Sequence, residues 1–232
     1  MQLTRSIVNQ SIKQAMAHMD DLGIRLPKFA FWTVDDWATK GHALDEIRDC
    51  RLGWDVTDFG SHDFHNIGRT LFTLRNGNVH NAAYPKSYAH KFLFNPEGQR
   101  APAHFHKSKM EDIQNLAGGN VLVQLTSTKP DNAPSDKPLT IKVDGEAIQL
   151  KSGGIIRLEP GMSVCIPPRT IHQFWAEEGK GITVSAEISS VCDDLDDNYF
   201  LDPAQRFPQI LEDEARDYYL CSEYPAIETT IN

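Results

Sequence analysis

Beyond residue 53 the apolar segments of this chain are short, and nearly all of them end at Gly, Asn, Asp or Pro. Segments 70–74, 91–94, 121–124, 139–143, 147–150, 154–158, 163–166 and 181–188 are mostly rich in β-branched or aromatic residues. Many short strands separated by turn residues build a sandwich or barrel, because βαβ units need long helical crossovers between strands. Asp144-Gly145 falls between two such segments and predicts a type I′ hairpin, in which both central residues need positive φ. The polar stretch 127–138, with three prolines, reads as a surface loop.

The first fifty residues have a different texture. Ile7, Ile12, Ala15, Met16 and Met19 recur at helical spacing over 5–22, and Gly23 supplies the stop. Residues 24–32 read as extended, with Pro27 against a helix. Thr33 is an N-cap candidate for a short helix with Asp35 and Asp36 in its first turn, and a second short helix is expected over 42–51. The tail, 203–221, reads as helical and acidic. The expected architecture is therefore mainly β: a sandwich or barrel over 53–232 with a C-terminal helical tail, and a helical extension over 1–52 packed on it as one domain. A chain of 232 residues can bury such a core.

Composition excludes several roles. With 23 basic against 32 acidic residues the net charge is −9, and no basic stripe offers a footprint for nucleic acid or an anionic membrane. No apolar run reaches the roughly 20 residues of a membrane span, and the N-terminus lacks a secretory h-region, so a cytoplasmic protein is expected. Cys50, Cys165, Cys192 and Cys221 form no C-x-x-C pair and read as free thiols.

The chemistry concentrates in two runs. Gly98 to Gly118 reads G-x5-H-x-H-x4-E-x6-G, and Gly161 to Ala176 reads G-x5-P-x-R-x2-H-x3-A. On a strand, His104 and His106 share a face, and Glu111 and His172 can join them if the chain returns to it. Three imidazoles and a carboxylate suit Mn, Fe, Co, Ni, Cu or Zn and are too rich in nitrogen for Ca or Mg. His18, His42, His62, His65, His80 and His90 lack such company and read as ordinary surface or core residues.

The first run matches the first cupin motif at every fixed position. The second resembles the second cupin motif, with Arg169 in place of a glycine and Ala176 in place of an asparagine. More narrowly, the chain resembles the D-lyxose isomerase family over nearly its whole length. That likeness is carried by FAFWT (29–33), GWDVTDFG (53–60), LFTLRNGN (71–78), YPKSYAHK (84–91), HFHKSKMEDI (104–113), AEISSVCDD (186–194), Asp197-Asn198, RFP (206–208), EDE (212–214) and CSEYP (221–225). His90 and Lys107 depart from the family pattern and are candidates for tuning substrate choice. The resemblance implies a single cupin barrel of jelly-roll type, usually a homodimer, that interconverts an aldose and a 2-ketose, D-lyxose with D-xylulose and D-mannose with D-fructose, preferring Mn2+. Co2+, Zn2+, Fe2+ and Ni2+ suit the same ligands.

Aldose–ketose isomerisation needs polarised oxygens on C1 and C2 and a group that moves a proton between those carbons. Lys109, Lys91, Glu187 and Glu212 are the catalytic candidates. Lys109 shares the face of Glu111 on an extended segment, with an ammonium pKa expected to fall near a dication. Glu212 would fold over the barrel mouth from a tail helix, and Glu187 would point inward from its strand. Trp32, Phe105 and Phe174 are candidate walls for sugar C–H faces; Arg169, Asp193 and Asp194 are candidate hydroxyl partners, Arg169 alternatively bracing Glu187. An iron(II) oxygenase and a non-enzymatic sugar-binding cupin are the alternatives that the ligand set leaves open.

Overall fold

The computed structural model describes residues 2–226. Two antiparallel sheets face each other. The larger runs in the order β1 (Gly53–Thr57), β2 (Arg69–Arg75), β3 (Tyr88–Asn95), β12 (Thr183–Ser190), β5 (Glu111–Gly118), β10 (Ser163–Ile166), β7 (Leu139–Val143) and β8 (Glu146–Leu150). The smaller runs β13 (Asn198–Phe200), β4 (His104–His106), β11 (Thr170–Ala176), β6 (Val121–Ser127) and β9 (Gly154–Leu158). This is the mainly β architecture expected from the short strand segments, in the cupin-like form that the resemblance implies.

Period-two alternation sends one set of side chains from each sheet into the space between them. Leu71, Leu93, Ile113 and Val164 meet Val123, Leu125, Ile156 and Phe174 there. Each such side chain contributes about 1.5–3 kcal/mol when fully buried. The outer face of the larger sheet carries a second apolar stripe, Trp54, Phe72, Phe94 and Val184. It is covered by α1 (Arg5–Asp21), which buries Val8, Ile12, Ala15 and Met19. The Thr4 hydroxyl accepts from Ile7 N at the start of this helix, and Gly23 at φ 75° follows its end.

Several local expectations hold. Thr33 caps α2 (Val34–Trp37) in a reciprocal capping box with Asp36. A 3-10 turn at His42–Leu44 leads into α3 (Asp45–Asp49). Asp144 and Gly145, at φ 49° and 87°, turn β7 into β8. All four cysteines are free. No helix of the described residues is long and apolar enough to cross a membrane.

Two expectations fail. Residues 24–32 are not wholly extended, because Lys28–Phe31 form a 3-10 turn. The helix expected over 203–221 does not form. Pro203 and Pro208 interrupt it, and the acidic residues, though exposed or half-buried, bond to α1. Glu212 pairs with Arg5 at 2.7 Å, Asp213 accepts from Ser6, Glu214 from Asn9, and Asp217 pairs with Lys13. Backbone bonds between Arg5 and Leu211 and between Leu211 and Leu3 lay the tail along the start of the helix.

Candidate metal centre and active site

Pairing register assembles the three histidines. His172 on β11 stands directly opposite His104 on β4, with ring centroids 4.3 Å apart. His106, two residues along β4, points the same way, and ring nitrogens of all three lie within 4.8 Å of one another. Glu111 arrives from the other sheet, as the first residue of β5. Its two oxygens lie 3.0 Å from His172 Nε2 and 3.3 Å from His106 Nε2. The turn between β4 and β5 is fixed by Asp197, whose carboxylate accepts from Ser108 N, Ser108 Oγ and Lys109 N.

The donor set fits a divalent cation. The Nδ1 atoms of His104 and His172 face the carbonyls of Pro102 and Thr170 at 2.8 and 2.9 Å. A carbonyl only accepts, so each Nδ1 carries the hydrogen and each Nε2 presents a lone pair. Burial, reinforced by His172 and His106, pushes His104 well below its usual pKa, and burial with Lys109 lowers His106, so both are neutral. Unshared imidazole lone pairs aimed at one point, beside a carboxylate held ionised, suit a divalent transition-metal cation. Burial alone would raise Glu111, but Lys109 above all holds it well below the carboxylate range.

Behind the ligands lies a buried ionic layer. Lys109 Nζ is 2.7 Å from Glu111 and 2.7 Å from Glu187. Lys91, directly opposite Glu187 across the β3–β12 pairing, approaches the same oxygen at 3.3 Å. Burial would raise Glu187, yet Lys109 and Lys91 together lower its pKa. Burial would also lower Lys109, but its two carboxylates outweigh that and oppose the fall expected from the sequence. Arg206 pairs with Asp55 at 2.5 Å and Asp194 at 3.1 Å. Asp194 is thereby held well below its usual pKa despite burial.

These groups line two neighbouring cavities. One, of about 50 Å3, holds the histidines, Glu111, Lys109, Glu187, Arg69 and Phe174. The other, of about 190 Å3, is bordered by Asn76, His80, Cys192 and Asp193. Lys91, Asp194 and Arg206 line both.

The structure therefore brings together His104, His106, Glu111, His172, Lys109, Lys91, Glu187, Phe174 and Asp194. Other candidates lie elsewhere. Glu212 lines a separate cavity with Phe207 and Leu220 and is bound to Arg5, since no helix carries it to the barrel mouth. Trp32 packs edge-on against Trp37 with Lys40 over its ring. Phe105 alternates away from its flanking histidines and stacks on Tyr199 at 4.7 Å. Arg169, at φ 60°, turns outward to Lys129 O and Asn132 and braces that loop rather than Glu187. Asp193 meets exposed His80 in the second cavity, outside the histidine cluster. His90 lies against Phe92, and Lys107 is exposed with its ammonium on Asp196 O; neither lines the metal-site cavity.

Arg69 and Arg206 escaped selection as site residues. Arg206 sits in the RFP run, a usable signal, whereas a single arginine opening a strand, as Arg69 does, gives none. Arg69 is buried against Phe174, its guanidinium 4.4 Å from the ring, and bonded to Asn95.

Comparison with known proteins identifies the family. The D-lyxose isomerase family model matches residues 3–224. A D-lyxose/D-mannose isomerase of Escherichia coli O157:H7 is 40% identical over 223 residues, covering 96% of this chain and 98% of that protein. One from Serratia proteamaculans is 41% identical over 220 residues, covering 94% and 96%. Among solved structures, L-ribose isomerase of Cellulomonas parahominis with L-psicose superposes at a TM-score of 0.59, with 13% identity and 90% and 98% coverage. The Acinetobacter sp. DL28 L-ribose isomerase mutant with L-ribose gives 0.60, with 15% identity and 91% and 98% coverage. At such identities the structural likeness speaks for the fold, whereas the sequence relatives decide against the oxygenase and the non-enzymatic binder. The chain belongs to the D-lyxose isomerase family and is an aldose–ketose isomerase.

Proposed function

We propose that the protein interconverts D-lyxose with D-xylulose, and D-mannose with D-fructose, in a reaction that depends on a divalent cation, Mn2+ by preference. The convergence of His104, His106, His172 and Glu111 on one point carries this reading. The names of the relatives supply the sugars: D-lyxose and D-mannose share configuration at C2, C3 and C4, so one site accommodates both.

The bound cation would act as a Lewis acid on the sugar oxygens at C1 and C2. The remaining chemistry belongs to the side chains. Glu187, kept ionised by two ammonium groups, takes the proton from one carbon and returns it to the other. Lys109 holds that carboxylate in place and offers an N–H to the oxygen that gains charge. Lys91 steadies Glu187 from the wall shared by the two cavities, and Asp194 on the same wall binds a hydroxyl farther along the sugar. Phe174, with Arg69 behind it, provides an apolar wall. We further propose a homodimer, in keeping with exposed Tyr88, Met110 and Ile188 at neighbouring positions of β3, the β5 entry and β12; sedimentation equilibrium tests it, and a monomer at micromolar concentration contradicts it.

The testing experiment removes metal with a chelator, restores Mn2+, and follows D-lyxose and D-mannose by NMR. Ketose should form only after restoration. Full conversion by chelated protein of verified zero metal content would refute the metal dependence, and no conversion of either sugar would refute the substrate assignment.

A further inference from the structure

Lys91 is buried, and its ammonium has three N–H groups to place. Two neighbours are carboxylates, Glu187 at 3.3 Å and Asp194 at 4.0 Å. The third is the Cys192 sulfur, to which Lys91 donates at 2.9 Å. Cys192 lies just past the end of β12, the strand that carries Glu187, in the connection to β13. Asn76, the residue after β2, holds it there. The Asn76 side-chain amide accepts from Cys192 N and donates to Cys192 O, both at 3.0 Å, and also reaches Cys50 O at 3.4 Å. The buried Asn76 amide thus satisfies both backbone groups of Cys192 and fixes the position from which its thiol meets Lys91.

We propose that Asn76 and Cys192 are positioning residues of this enzyme: clamped by Asn76, the Cys192 thiol aims the Lys91 ammonium at Glu187 from the wall between the two cavities. The inference rests on the reading of Glu187 as the proton-transferring group. A thiol suits the task because it is a weak, neutral acceptor. A charged acceptor would draw Lys91 away from Glu187, and an apolar side chain would leave the ammonium free to swing towards Asp194 and the larger cavity. Burial pushes the Cys192 thiol up to about 11, so it stays neutral and adds no further anion to the layer.

The test uses the full-length, Mn2+-loaded protein and the variants Cys192→Ala, Cys192→Ser, Lys91→Met and Cys192→Ala/Lys91→Met, with metal content and unfolding midpoint measured alongside. Cys192→Ala should lower kcat about tenfold with KM changed less than threefold, and Cys192→Ser, which restores an acceptor, should return it to within threefold of the parent. The double variant should be no slower than Lys91→Met alone, because the thiol acts through that lysine. An unchanged kcat in Cys192→Ala, losses that multiply in the double variant, or a serine no better than alanine would overturn the proposal. A second arm is independent of turnover. Asn76→Ala should raise the rate of Cys192 alkylation by iodoacetamide, followed by peptide mass spectrometry on the native protein, at least tenfold. An unchanged rate would remove the clamp. If the parent protein converts no aldose, the functional reading fails, while the labelling arm still decides whether Asn76 holds Cys192.

Discussion

Lys109 donates to Glu187 across 2.7 Å while lying equally close to Glu111, so one buried ammonium joins the carboxylate proposed to hold the cation to the carboxylate proposed to move the proton. Breaking such a buried arrangement by removing one partner costs about 3–5 kcal/mol, because the remaining charges lose their compensation. Lys109→Met should therefore destabilise the metal-free protein by about that amount in urea unfolding. A loss below about 1 kcal/mol would mean that the ammonium does not hold the two carboxylates.

Glu187→Gln keeps the shape of the side chain and removes its basicity. It should lower kcat for D-lyxose by about 10²–10⁴ while metal content stays at the parental level. Retained activity would move the base elsewhere in the cavity.

His172→Ala and His104→Ala should each lower bound metal measured after dialysis, since each removes one of the nitrogens within 4.8 Å. Equal metal content in parent and both variants would contradict the ligand assignment.

How much of this was legible beforehand follows from burial. β7, β8 and β9 show themselves because apolar residues alternate or run together between clear turns. β5 does not, because its inward positions include Glu111 and Asn115, polar groups that the site and Asn115's bonds to Gly119 O and Leu158 O require. The convergence of the three histidines and Glu111 was readable because their spacing survives in one dimension. Phe105 was misplaced because adjacency to two ligands in sequence means the opposite face on a strand. Glu212 was misplaced because an acidic run resembles a helix start; its partner Arg5 is 207 residues away and visible only in three dimensions.

Phe105 is accordingly a packing residue. Phe105→Ala should cost about 3–5 kcal/mol in unfolding free energy, and Phe105→Leu much less, with KM for D-lyxose within twofold in the folded protein. A large KM change in a stable Phe105→Leu variant would restore it to the sugar site.

Glu212 makes a prediction about acid. Arg5 and Arg216 lower its pKa from 4.5 to about 2 in the folded chain. A depressed carboxylate stabilises the fold above its unfolded pKa and loses that contribution as pH falls through the folded one, here between about 4.5 and 2. Because half of the side chain is exposed, solvent screening keeps the effect near or below ~1 kcal/mol. Glu212→Gln should flatten the stability curve slightly between pH 4.5 and 2 and leave kcat at neutral pH within threefold. A hundredfold loss of kcat would place Glu212 in the reaction after all.

The central claim, proton transfer by a side chain in this cavity, is tested most directly by converting D-lyxose in D2O with Mn2+-loaded protein and reading the D-xylulose by NMR. Deuterium at C1 of the product, lost in proportion to activity in Glu187→Gln, is the predicted result. Ketose formed with no deuterium at C1, under conditions where Glu187→Gln is also fully active, would contradict it.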